Sequence, residues 1–89
     1  MLYKITGLKH YDFSKDGERV AGNQLSVIDI RDGVAGMEFG FTTDKFNIND
    51  ELKHNLYALV GGEANKLINL VVDIDFNRYG KVDCIRLPN

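Results

Sequence analysis

From Ile68 to Phe76 every second residue is large and apolar: Ile68, Leu70, Val72, Ile74 and Phe76 alternate with Asn69, Val71, Asp73 and Asp75. Side chains on a strand point to opposite faces with a period of two, so this run predicts a strand over residues 67–76 with one face in a core. Such a strand needs neighbours to pair with and a layer to cover its apolar face, and the remaining sequence is read for both.

Residues 2–13 predict a long first strand, rich in the Tyr, Ile, Thr and Phe that suit a pleated surface. Gly7 marks a bend or bulge within it. Residues 14–19 form a polar hairpin loop with Asp16-Gly17 as the turn signal, and residues 20–30 make the second strand. After a turn at Arg31-Asp32-Gly33, a third strand is expected over residues 37–43, with Met37, Phe39 and Phe41 on one face. The period then changes. Leu52, Leu56, Leu59 and Val60 share one face of a helix placed at about 50–60, with Asn49 as its N-cap, acids at 50 and 51, and Gly61 at its end. Asn77-Arg78-Tyr79-Gly80 is a tight turn, and residues 81–87 form the last strand, irregular near Cys84 and Ile85.

The order is β-β-β-α-β-β. It points to a mainly β protein, a five-stranded OB-like Greek-key barrel with one helix between strands 3 and 4. In that barrel the first strand is expected to lie beside the fifth. A split sheet packed on one helix is the rival architecture. At 89 residues the whole chain, 1–89, makes a single domain. No apolar run approaches the roughly 20 residues that cross a bilayer, and the first residues do not resemble a signal peptide. The one cysteine, Cys84, allows no internal disulfide. A cytoplasmic protein is therefore expected. A domain this small without staples is marginally stable, which makes a homodimer an expected form.

Catalytic groupings are sparse. His54 lies on the helix away from the Leu52 and Leu56 face and reads as a surface residue, and His10 reads as a strand surface residue. Cys84 has no second cysteine and reads as buried. Asp73 and Asp75 share a strand face, which is expected to be the solvated one. Gly33-Val34-Ala35-Gly36 lacks the lysine and the following helix of a phosphate loop. The expectation is no enzyme, no metal and no cofactor. A metal-dependent enzyme would need Asp73, Asp75 and His10 to converge.

The aromatics are more informative. Tyr3-Lys4, Lys9-His10-Tyr11, Lys45-Phe46 and Arg78-Tyr79-Gly80-Lys81 interleave rings with bases. Single-stranded nucleic acid offers base faces to stack on and phosphates to neutralise, and such interleaving answers both. Phe39, Phe41 and Phe76 fall on apolar faces and belong to the core, whereas Tyr11, Phe13 and Tyr79 border loops. The formal net charge is −2, yet the bases gather near the two ends while the acids dominate the middle. A local basic patch attracts a polyanion despite the overall sign.

The run Tyr3-Lys4-Ile5-Thr6-Gly7-Leu8-Lys9-His10-Tyr11-Asp12-Phe13, the turn Asp16-Gly17 with Val20-Ala21-Gly22, and the closing Asp75-Phe76-Asn77-Arg78-Tyr79-Gly80-Lys81-Val82 resemble small proteins of phages and Gram-positive mobile elements. Some of those are similar to the OB-fold single-stranded DNA-binding proteins of filamentous phages. The resemblance implies binding of single-stranded DNA in replication or transfer, without sequence preference, by a symmetric dimer. The acidic balance departs from that group.

The expected nucleic-acid-binding residues are Lys4, Lys9, Lys15, Arg19, Arg78 and Lys81 for phosphates, with Tyr11, Phe13 and Tyr79 for bases. The expected partner is single-stranded DNA, or RNA, with no membrane. The other reading is a protein-interaction module, an accessory subunit of a replication or conjugation complex. Aromatics on a basic face favour the first; an apolar patch ringed by acids favours the second.

Overall fold

The computed structural model describes residues 1–30 and 43–88. Its elements are β1 (Leu2–Lys15), β2 (Glu18–Asp29), β3 (Thr43–Ile48), α1 (Asp50–Leu59), a 3-10 turn (Ala64–Leu67), β4 (Val71–Phe76) and β5 (Val82–Arg86). The strand expected at 37–43 lies outside the described residues except for Thr43, as do the turn at 31–33 and the rings of Phe39 and Phe41. Five antiparallel strands form one open sheet in the order β3-β2-β1-β4-β5. Among the described residues no ladder joins β3 to β5.

The expected β1–β5 neighbourhood is not observed. A tight turn at residues 77–80 ties β5 to β4, and the other edge of β4 pairs with β1 through Leu2↔Asp73, Tyr3↔Val72 and Lys4↔Val71. The C-terminal hairpin therefore reaches β1 only through β4. Its tip faces β3 instead, across a cleft between the two edge strands.

One inserted residue decides which side chains of β1 face out. Tyr3 and Ile5 point into the core, but the register shifts between Ile5 and Gly7, and from there Leu8 pairs opposite buried Leu25. A one-residue slip exchanges the two faces of a strand. Beyond the bulge, Lys9, Tyr11, Phe13 and Lys15 consequently point outward.

The core comprises Tyr3, Ile5, Leu25, Val27, Ile48, Leu52, Leu56, Leu67, Val72, Ile74 and Ile85. Helix α1 covers it with Leu52 and Leu56, while His54 is exposed. The helix begins where the Asn49 side-chain oxygen accepts from the Leu52 amide at 2.8 Å, with Asp50 and Glu51 beside the positive end of the helix dipole. Phe46 and Phe76 pack on the core margin, near-perpendicular to each other at 5.2 Å between centroids and to Tyr3 at 5.5 and 6.3 Å. No helix among the described residues is long and apolar enough to cross a membrane.

A buried polar joint links sheet and helix. Asn23 is 1% exposed; its amide donates to the Ile48 carbonyl at 3.2 Å and to Asp50 at 2.9 Å. With that amide engaged, the Asn23 oxygen accepts from His10 Nδ1 at 3.0 Å. A buried amide fully partnered in this way fixes local geometry rather than leaving an unmet polar group.

Candidate nucleic-acid interface

The β1–β2 hairpin outruns its neighbours. β4 pairs with residues 2–4 of β1, and β3 with residues 23–28 of β2. Among the described residues, 11–22 therefore pair with each other alone, as a projecting two-stranded arm. The Cα radius of gyration, 14.3 Å, exceeds the about 12 Å of a compact chain of this length. Strand pairing continues to Lys15↔Glu18, so the expected loop at 14–19 is only a two-residue turn. Asp16 and Gly17 both adopt positive φ, 52° and 80°, the combination whose twist matches that of the strands it joins.

The outward face of the arm carries the cross-strand pairs Lys9↔Gln24, Tyr11↔Gly22, Phe13↔Val20 and Lys15↔Glu18. Tyr11 lies over Gly22, where a Cβ would fall 2.5 Å from the tyrosine hydroxyl oxygen, so only glycine leaves room for this ring position. Phe13 stands 6.2 Å away, inclined by 37° to Tyr11 and 51% exposed. Lys9, Tyr11, Phe13, Val20, Gln24 and Asn47 line a shallow depression here. Two rings with lysines on either side put on one face the residue types that base stacking and phosphate contact require.

The other sequence-predicted residues are placed as follows. Arg19 lies on the opposite face of the arm, in an ion pair with Asp12 in which Nε donates at 2.9 Å. Lys4 is half-buried between Ile28 and Val71, toward the β4 end of the outer face. Tyr79, 71% exposed, tips the β4–β5 turn with the Arg78 guanidinium 4.9 Å from its ring centre. That turn is pinned by the Asn77 side-chain oxygen, which accepts from the Tyr79 and Lys81 amides at 2.9 and 3.1 Å. Lys81 lines the β3–β5 cleft opposite Lys45. The fold thus brings Lys9, Tyr11, Phe13 and Lys15 together, places Lys81, Arg78 and Tyr79 at a second locus, and turns Arg19 away.

Lys45, Asn47 and Gln24 belong to this surface and were not among the expected residues. For Lys45 and Asn47 the signal was the polar half of an alternation, Thr43, Lys45 and Asn47 outward against Phe46 and Ile48 inward, in a strand too polar to stand out; Gln24 is the β2 residue paired with Asn47.

Away from the arm, acids of the sheet are matched by cations. On the outer face of β4 and β5, Arg86 pairs with Asp75 and, at 3.1 Å, with Asp73, which also accepts from the Met1 ammonium at 2.7 Å. The solvated acid face expected of β4 is thus a set of ion pairs. Cys84 is exposed, not buried as expected. The register shift in the β4–β5 ladder sets Cys84 opposite Asp75, and Arg86 approaches its sulfur at 3.9 Å. His10 bonds Asn23, so it does not converge with Asp73 and Asp75. Among the described residues, no group of three or more His, Cys, Asp and Glu side chains is placed to hold a metal ion.

The Arg19 hydrogen bond holds the Asp12 carboxyl below its ordinary 3.8, and the Met1 ammonium, followed by Arg86, does the same for Asp73. A depressed carboxylate pKa adds stability that is fully present above the ordinary value and is lost as pH falls through the folded value. Carbon-detected NMR titration is expected to find both carboxyls titrating below 3.8. Arg19→Gln should raise the Asp12 midpoint and leave Asp73 in place; an unmoved Asp12 midpoint would refute the pairing.

Comparison with known protein families, curated proteins and solved structures returns no match.

Proposed function

We propose that this chain is a non-enzymatic single-stranded nucleic-acid-binding protein, with single-stranded DNA as its ligand in replication or transfer. The observation that carries the reading is the outward face of the arm, where Tyr11 and Phe13 stand together between Lys9 and Lys15. Much of the negative charge lies elsewhere: Asp12 pairs with Arg19, Asp73 and Asp75 share Arg86 while Asp73 also holds the Met1 ammonium, and Asp29 is buried. Glu18, across from Lys15, is the acid that shares the aromatic face of the arm. Local potential rather than net charge governs the approach of a polyanion.

The reading includes an OB-type architecture whose β3–β5 seam is open. Strand order and the helix between β3 and β4 support it. In that fold the face of strands 2 and 3 and the loops between strands 1–2 and 4–5 meet the ligand. Here those are the surface with Gln24, Lys45 and Asn47 and the turns at 16–17 and 77–80. The alternative, a protein-interaction module, draws on the two free sheet edges, β3 and β5.

The test is fluorescence anisotropy of labelled single-stranded oligonucleotides at low and moderate salt. Saturable binding that weakens with salt is expected, because counterions are released from each neutralised phosphate. No binding at about 100 μM protein, the weak limit of non-specific contacts, would overturn the proposal and favour the protein-interaction reading.

A further inference from the structure

The arm depression and the β3–β5 cleft share one residue, Asn47. The cleft has a volume of about 440 Å³. Lys45 stands on its β3 side and Lys81 on its β5 side, while Phe46, Leu52 and Val82 supply apolar wall. Phe46 is held in place by its edge contacts to Tyr3 and Phe76, so the wall is preformed. Among the described residues neither lysine has a carboxylate within ion-pair distance. Two free cations with an apolar wall between them match the two halves of a nucleotide, a phosphate and a flat base. Asp50 and Glu51 occupy the start of α1, so a phosphate is disfavoured at the helix end and favoured at the lysines.

We propose that this cleft is a second subsite on the same track: one nucleotide of a strand bound on the arm continues past Asn47 and seats there. Its base rests against Phe46, Leu52 and Val82, and its phosphate lies between Lys45 and Lys81. The inference rests on the single-strand-binding reading and extends it, since the seam that leaves the sheet open becomes a place for ligand. The footprint then has two parts, a stacking face on the arm and a recessed position at the seam.

The experiment measures the affinity of oligothymidylates of increasing length for the wild-type chain and for a Lys45→Gln/Lys81→Gln variant. The quantity read is the ratio of long-oligomer to short-oligomer affinity, which cancels a uniform loss of attraction. For the wild type this ratio is expected to rise by about tenfold beyond its statistical increase, at a threshold within the about 4–16 nucleotides typical of one such domain. In the variant that step should vanish while short oligomers still bind. A second measurement uses thymidine monophosphate and amide NMR shifts, expected at residues 46–49 and 80–82. A step of equal size in the variant, or monophosphate shifts confined to residues 9–22, would overturn the subsite and leave the arm reading standing. Failure of every length to bind the wild type would overturn both.

Discussion

Tyr11→Ala and Phe13→Ala are each expected to weaken single-strand binding about 5- to 150-fold, the equivalent of the roughly 1–3 kcal/mol that a base stacked on an aromatic ring contributes. Tyr11 lies over Gly22 with its ring set by the strand beneath, and Phe13 leaves half its surface to solvent, so both rings are presented before a ligand arrives. A pre-positioned ring loses little freedom on binding, which keeps the stacking contribution near its full value. The two are neighbours, so the double variant is not expected to show the sum. Tyr11→Phe keeps the stacking face and should bind within about twofold of wild type. Neither residue belongs to the core, so the thermal midpoint should stay close to wild type. Equal affinity of Tyr11→Ala, Phe13→Ala and wild type would sink the stacking assignment.

The second large effect concerns stability. Leu56 is completely buried on the inner face of α1, among the strands it covers. Leu56→Ala removes three methylene-sized groups and leaves a cavity, at a cost of about 2–5 kcal/mol. Domains of this kind have only about 5–15 kcal/mol in total, and each kcal/mol shifts the midpoint by about 4–8 °C at this size. Denaturant unfolding should show a midpoint displaced with an unchanged slope. A change below about 1 kcal/mol would mean that α1 is not docked through this residue.

Where local chemistry decides the structure, the sequence was readable. Asp16-Gly17 placed the first hairpin turn because few other pairs tolerate two positive φ angles. Asn49, with Leu52 and Leu56, placed the helix, and the alternation from Ile68 to Phe76 placed β4, four residues early at its start. Gly7 foretold the β1 irregularity, and the face exchange that follows it puts Tyr11 and Phe13 beside Lys9 and Lys15.

What escaped sequence reading depends on tertiary placement. β3 is an edge strand with two inward apolar residues, Phe46 and Ile48, so half of it is polar for reasons visible only in the sheet. The strand expected over residues 67–76 starts late: the 3-10 turn Ala64–Leu67 buries Leu67, Ile68 is exposed, and β4 begins at Val71. Cys84 reads as buried because free cysteines usually are, and the extra residue at Asp83, beside the stretch expected to be irregular, turns it outward instead. Arg19 reads as a loop residue, and it is the continued pairing of Ser14 with Arg19 that sets it on the face of Asp12.

The arm makes no contribution to the buried core, since none of residues 9–22 belongs to it. Its sequence is therefore constrained by its turn, its cross-strand partners and whatever it touches, and scarcely by the need to fold the body of the domain. Changes there escape the purge that removes destabilising mutations from a marginally stable chain. Under the proposed reading, ligand preference is then free to diverge at Lys9, Tyr11, Phe13 and Lys15 while the body of the domain is held by its core.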